Sequence, residues 1–419
     1  MQRRQFLFGA SALLTAFGLP ATGLAQTAPD GRKFLFVFNP GGWDPTRVFA
    51  PEFDNPNVDM ESAADRASLG GIDFVDHPAR PSVRNFFAAF APQTLVFNGV
   101  MVRSIAHEIC TMIMMTGSSS GLSADWPTLI GDAARADTTL PNLVLGGPSF
   151  PGDRGVAVAR TGSNGQLESL LSGRAFDMSA TPVDGPSRPA ESVVDRYLQR
   201  RAEARVLGAR STREEELVRD FQASMDKLGG LKDLRYSMDF TGGGTLADQA
   251  EVAAQALSLG VSRTVCMSFA GGSQFGWDSH ADNDNIQSAL FEELFAGLVS
   301  LMATLKATPG THGGTLADET TVVVMSEMGR TPLLNELIGK DHWPYTSVMV
   351  VSPDVTGGRV VGGFDEAYFG KLVDPASGDV TDQGQVLSAE AVGATLLSLA
   401  GVDPEEHISG VAPVTGVLA

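Results

Sequence analysis

Short runs of uninterrupted apolar residues punctuate this chain, and each ends in a polar or glycine-containing turn. Residues 33–38 (KFLFVF) stop at NPGGWD; residues 94–98 (TLVFN), 142–146 (NLVLG), 263–269 (RTVCMSF), 320–326 (TTVVVMS) and 347–351 (SVMVV) repeat the pattern. Continuous apolarity over such short lengths predicts strands buried on both faces, as in a parallel sheet. Between them lie helical patterns. Over 284–306, Ile286, Leu290, Leu294, Leu298, Leu301 and Leu305 recur every three or four residues, a stripe suited to packing on a sheet. Residues 388–400 predict a last helix, with Ser388 as its cap and Gly401 as its stop. Strands alternating with helices predict an α/β fold with a mostly parallel central sheet. Residues 187–233 differ. They are rich in Arg, Glu, Ala and Leu and predict two charged amphipathic helices with a turn near Ser211, a helical insertion against the α/β body. Residues 161–190 and 238–245 read as Gly- and Ser-containing loops.

Composition narrows the function. The chain has 419 residues, 43% hydrophobic and 19% charged, which is a globular composition. A net charge of −19 argues against a nucleic-acid partner, which needs a basic surface, and the Glu and Asp interspersed in the Arg-rich insertion agree. The body of the chain holds no apolar stretch of about 18 residues, so no stable membrane span is expected there. Cys110 and Cys266 sit in apolar runs, which predicts buried free thiols and excludes both a disulfide scaffold and a thiolate zinc site. The first residues, MQRRQFLFGASALLTAFGLPATGLAQ, have a charged start, a short apolar stretch and a small-residue end. Arg3-Arg4-Gln5-Phe6-Leu7 resembles a twin-arginine signal, and Gly23-Leu24-Ala25 fits a cleavage site. The expectation is a signal peptide over 1–25, the twin-arginine export machinery as a partner, a periplasmic or otherwise exported product, and a single mature α/β domain over 26–419.

The chemistry-bearing residues collect where apolar runs end. Three of the four tryptophans sit in compact polar motifs: NPGGWD, FGWDSH and KDHWP. Asp44 follows the first strand, Asp278 and His280 follow the 263–269 strand, Glu327 ends TVVVMS, and Asp341-His342 precedes Trp343. Ligand groups of open α/β sheets gather beyond the carboxyl ends of strands. Asp44, Asp278, His280, Glu327, Asp341 and His342 form an oxygen and nitrogen donor set for a divalent metal, with Zn, Mn, Mg and Ca all compatible. His77, His312 and His407 lie in polar loops and read as surface histidines.

Together these motifs resemble a known family. The signal, FVFNPGGWD, the AHE…MMTG stretch, WDSH, VVVMSEMGRTP, and DHWP followed by VVGGFDE are similar to the bacterial exported, sulfatase-like family of unknown function, placed within the alkaline phosphatase superfamily. The resemblance covers roughly residues 30–400. It implies an alkaline phosphatase-like sheet with helices on both faces and a metal site at the strand ends. Asp44 matches the superfamily's Asp after the first strand. Asp278 with His280 resembles its Asp-with-His pair. Glu327-Met328 stands where an Asp-His pair is usual, and His342 resembles the final His. Met328 removes one imidazole. The Cys-x-Pro-x-Arg signature of formylglycine sulfatases is absent. Counting ten residues back from Gly117, where the resemblance places a nucleophile, reaches His107, with Ser104 and Cys110 one turn to either side. His107 is then a metal ligand, a nucleophile or a general acid, and Ser104 is the second catalytic candidate. Arg330, with Arg103 as an alternative, is expected to bind the anion. The implied function is metal-dependent hydrolysis of phosphate or sulfate esters. The rival is a noncatalytic envelope protein that binds a polysaccharide or a protein partner.

Overall fold

The structure, a computed structural model, describes residues 31–161, 174–175, 183–184, 187–234, 245–272 and 276–419. The expected signal peptide, and parts of the loops expected over 161–190 and 238–245, lie outside the described residues. The strands of the main sheet are β1 (Lys33–Phe38), β2 (Thr94–Met101), β3 (Asn142–Val144), β4 (Val158–Arg160), β5 (Thr264–Ser268), β6 (Thr320–Met325), β7 (Tyr345–Val351) and β8 (Arg359–Gly362). They lie in the order β8-β2-β7-β6-β1-β5-β3-β4. Only β7 runs against its neighbours, pairing antiparallel with β6 and with β2; the other pairings are parallel. The expected mostly parallel α/β sheet is therefore present.

The period-two geometry of a strand sorts the side chains of β1 into two layers. Leu35 and Val37 join a core with Phe86, Leu257, Leu290 and Phe295. Phe34, Phe36 and Phe38 join another with Met114, Ile130 and Leu396. Helices α1 (Pro81–Phe90), α6 (Leu246–Ser258) and α7 (Asn283–Ala307) cover the first face. Helices α2 (His107–Thr116), α3 (Trp126–Asp132) and α8 (Ala389–Leu399) cover the second. Both faces are thus sealed, and each large aliphatic or aromatic side chain so buried contributes about 1.5–3 kcal/mol relative to exposure. Helix α7 is long and apolar enough to cross a membrane by length and composition, but half of that stretch is buried against the sheet. The charged region forms α4 (Arg188–Leu207) and α5 (Thr212–Leu234), joined through Ser211, whose Oγ accepts from Glu214 N. This pair meets the body at the Lys227 ammonium, which donates to Arg135 O at 2.8 Å.

Strand direction decides what gathers at each edge. The carboxyl ends of β1, β2, β5 and β6 lie at one edge of the sheet. Because β7 is reversed, its amino end lies there too. The loops 39–44, 102–107, 276–280 and 326–330, and the segment 341–344, therefore meet above the same edge.

Candidate metal centre

The loop after β1 is the keystone of this edge. Gly41 and Gly42 both have positive φ, +119° and +78°. A Cβ on Gly41 would stand 2.9 Å from Asp278 N, and one on Gly42 would stand 2.8 Å from Met328 Cγ. The Gly-Gly turn thus lets the β5 and β6 loops close on it. Gly41 N donates to Glu327 Oε1 at 2.7 Å, Gly41 O accepts from Arg330, and Gly42 O accepts from Arg330 Nε at 2.8 Å. Below the turn, Trp43 and Trp277 are fully buried and edge-to-face, centroids 6.2 Å apart. They anchor the loops that carry Asp44 and Asp278.

Three histidines and one aspartate converge at this edge. His107 opens α2, and its Nδ1 lies 2.8 Å from Glu327 Oε1. His280 Nδ1 lies 2.9 Å from Asp341 Oδ1. His342 Nδ1 lies 2.7 Å from Ile105 O. Each partner can only accept, so each Nδ1 carries the hydrogen and, in the neutral ring, each Nε2 keeps a bare lone pair. These lone pairs face one another. His280 Nε2 is 3.0 Å from His342 Nε2, and Asp278 Oδ1 is 3.1 Å and 3.2 Å from the same two atoms. Asp278 Oδ2 lies 3.5 Å from His107 Nε2. Ligand atoms of His107, Asp278 and His342 all fall within 4.8 Å of one another.

Two imidazole lone pairs at 3.0 Å repel unless a cation or a proton lies between them. A tetrahedral ion bound at about 2.0–2.1 Å sets its ligands about 3.3 Å apart, close to the spacings seen. An acceptor behind every ligating imidazole is also the arrangement that fixes the tautomer in metal sites. The residues fit one divalent ion, held by His107, Asp278 and His342, with His280 Nε2 beside His342 at its edge and Glu327, Asp341 and the Ile105 carbonyl behind the imidazoles. Imidazole-rich ligation suits Zn better than Mn, Mg or Ca.

Charge is tuned to match. Burial alone would raise the Asp278 carboxyl, but the hydrogen bond from Arg330 Nη2, at 2.7 Å, helps hold it at about 2. Asp278 is therefore an anion across the useful pH range. The Glu327 hydrogen bond, working against desolvation, raises the His107 imidazole above its ordinary value, so metal competes there with a proton.

Several expected residues stand elsewhere. Asp44 is fully buried, and its oxygens accept from Thr46 N at 3.0 Å, Asn283 Nδ2 at 2.9 Å and Lys340 Nζ at 2.9 Å. Its lone pairs are spent, so it braces the loop instead of facing the ligand cluster. Glu327 and Asp341 are brought to the site, each behind a histidine. Arg330, expected to hold an anion, is fully buried. Its donors go to Gly41, Gly42, Trp277 and Lys340 carbonyls and to Asp278, which leaves it a strut. Arg103 is pinned to Glu390. Ser104 Oγ accepts from Ala106 N at 3.2 Å. Burial pushes the Cys110 thiol up to about 11, and both cysteines are buried and free. Met328 packs into the core on the α2 face. The sequence offered no sign of Lys340, which sits in a polar motif like any solvated lysine, nor of Phe150, an isolated aromatic in a loop that walls the cleft beside His107.

Residues 32–412 match the family described as "Protein of unknown function (DUF1501)". The chain belongs to that family. No curated protein matches it. Among solved structures, Ps i-CgsB in complex with k-i-k-neocarrahexaose is similar at 11% identity and a TM-score of 0.40, over 91% of this chain and 75% of that one. A protein in the alkaline phosphatase superfamily from Vibrio parahaemolyticus is similar at 10% identity and a TM-score of 0.36, over 90% and 68%. Likenesses that distant assign no role to any residue of this DUF1501 protein.

Proposed function

We propose that this protein is an exported, metal-dependent hydrolase of phosphate or sulfate esters. The observation that carries the reading is the convergence of three Nε2 lone pairs and the Asp278 carboxylate beside a cleft open to solvent. A divalent ion held there supplies Lewis acidity to an ester oxygen and acidifies water. The chain's own groups hold that chemistry in place. Glu327, Asp341 and Ile105 O keep the imidazole protons at Nδ1, and Arg330 keeps Asp278 charged and oriented. The fully buried Trp43 and Trp277 pack against each other in the loops that carry the site. A noncatalytic envelope protein that binds a polysaccharide or a protein partner is the second reading. It is favoured by Ser104 and Cys110, neither of which is an activated nucleophile; the hydrolase reading instead takes water as the attacking group.

Elemental analysis of natively purified protein tests the centre. One divalent ion per chain is expected, lost in Asp278→Ala and His342→Ala, with affinity lowered about 10–100-fold in Asp341→Asn, which removes the carboxylate behind His280. Hydrolysis of aryl phosphate or aryl sulfate esters should follow metal content. Bound metal with no turnover under Zn, Mn, Mg or Ca would favour the second reading, and protein folded without any metal would defeat the centre itself. Export rests on the Arg3-Arg4 signal. Changing both to Lys should leave the uncut precursor in the cytoplasm, and normal periplasmic accumulation of that variant would refute the twin-arginine route.

A further inference from the structure

A cleft of about 540 Å³ opens beside His107 and Asp278. Its walls are Pro40, Thr111, Met112 and Phe150, with the Glu108 carboxylate exposed on one side and Asp278 and Glu327 at its inner end. No lysine or arginine lines it among the described residues. The two arginines nearest in sequence to site residues are already committed, Arg330 to four carbonyls and Asp278, and Arg103 to Glu390.

Aliphatic side chains are also exposed on the segments that hold His342 and His280. Ile105, whose carbonyl holds His342, is 57% exposed, and Ile109 on the next turn is 40% exposed. Across the site, the turn that binds His280 through Asn335 Nδ2 leaves Leu337 65% and Ile338 62% exposed. Ile338 has a φ of +50°, a conformation that a β-branched residue adopts only under constraint. Hydrogen bonds from Ile338 N to Asn335 O and from Asn283 N to Ile338 O impose it.

We infer that the cleft takes a singly charged ester of phosphoric or sulfuric acid carrying an apolar group, a phosphodiester or a sulfate monoester, and discriminates against the doubly charged phosphate monoester. This rests on the hydrolase reading above. An apolar group lies against Met112, Phe150 and Pro40 while the ester oxygens face the ligand cluster. One negative charge on the ester is balanced by the ion. A second would face Glu108 and Glu327 with no guanidinium or ammonium to offset it, and like charges brought together weaken binding strongly. In hydrolysis a water oxygen bonds to phosphorus or sulfur. The bond from that atom to the departing oxygen breaks, and a proton of the water ends on the departing group.

The test uses metal-loaded protein and both binding and turnover. Calorimetry at pH 8 compares methyl phenylphosphonate, singly charged and slow to be cleaved because methoxide is a poor leaving group, with phenylphosphonate, doubly charged. The singly charged ligand should bind at least roughly tenfold more tightly. Turnover should follow: bis(p-nitrophenyl) phosphate or p-nitrophenyl sulfate should be cleaved faster than p-nitrophenyl phosphate, and which of the first two is cleaved separates the phosphodiester from the sulfate source. Glu108→Lys, a change on an exposed helix surface, should narrow the binding ratio by adding a cation. Phe150→Ala should weaken phenyl over methyl ligands. Equal or tighter binding of the doubly charged ligand would overturn the inference, as would a ratio indifferent to Glu108→Lys. Should the metal bind and the phosphate monoester be preferred, this inference fails and the hydrolase reading stands. Should no ester be cleaved and neither phosphonate bind, the hydrolase reading itself fails.

Discussion

Asp44 carries a charge with no access to solvent, and its neighbours decide what that costs. Desolvation would raise its carboxyl, but Lys340 and Arg47 pull it well below the usual range. Lys340 is the mirror image: burial lowers its ammonium to about 8, and the Asp44 charge offsets only part of that. Removing one partner of such a set strands the others, so Asp44→Asn should lower the unfolding free energy by about 3–5 kcal/mol at neutral pH. The pH dependence has a definite sign. A carboxyl depressed in the folded state adds stability above its unfolded value, and that stability drains away as pH falls through and below about 4. Urea melts should therefore show the gap between wild type and Asp44→Asn narrowing as pH falls below about 4. A gap that stays constant down to pH 2.5 would show that Asp44 is not held ionised by its cations. The sequence marked Asp44 as special, yet spacing alone cannot tell a buried ion pair from an open ligand. That distinction lies in Lys340 and Asn283, hundreds of positions away in the chain.

The turn from Asn335 to Asp341 acts as one unit. It grips the His280 segment through Asn335 Nδ2 to His280 O at 3.1 Å, and through Asn283 N to Ile338 O at 2.9 Å. Gly339 is the point of closest approach. A Cβ there would lie 2.0 Å from both the carbonyl carbon and oxygen of His280. Since backbone cannot swing aside as a flexible side chain can, Gly339→Ala should cost roughly 1–3 kcal/mol and displace a ligand residue. The expected result is at least a roughly tenfold loss of metal affinity, whereas Gly155→Ala, with open space around it, leaves affinity unchanged. Equal metal affinity in the two variants would separate the turn from the centre. At this scale the sequence was most legible where apolar runs were longest. The 33–38, 94–98, 263–269, 320–326 and 347–351 segments all became strands of the main sheet, and the 284–306 stripe became α7. It was least legible at the sheet's edges. The strands Val158–Arg160 and Arg359–Gly362 are short, and glycines bound the second on both sides, so neither carries a run that stands out from a loop. Nor does an apolar run state its direction. The reversal of β7, which delivers His342 to the edge where the other ligand residues gather, is a property of pairing and not of composition.

The whole molecule is drawn together at that edge. His342 Nδ1 binds the Ile105 carbonyl across 237 positions of chain, and the His107, Asp278 and His342 side chains come from three loops on separate strands. No such cluster exists in an unfolded chain, so an ion bound there stabilises the folded state alone. Its contribution is set by mass action, about 2.7 kcal/mol at a free metal concentration one hundred times Kd. In thermal melts the metal-loaded protein should unfold a few degrees above chelated protein, and the difference should grow with the logarithm of free metal. Asp278→Ala should abolish the dependence on metal, because losing that carboxylate leaves three imidazoles without the anion that binds the ion's charge. Asp44→Asn should lower both curves and keep their separation, since its charge belongs to the bracing network beneath the Gly-Gly turn. If instead Asp44→Asn removed the metal response and Asp278→Ala kept it, the ligand set would have to be redrawn around Asp44, where the sequence pattern first placed it.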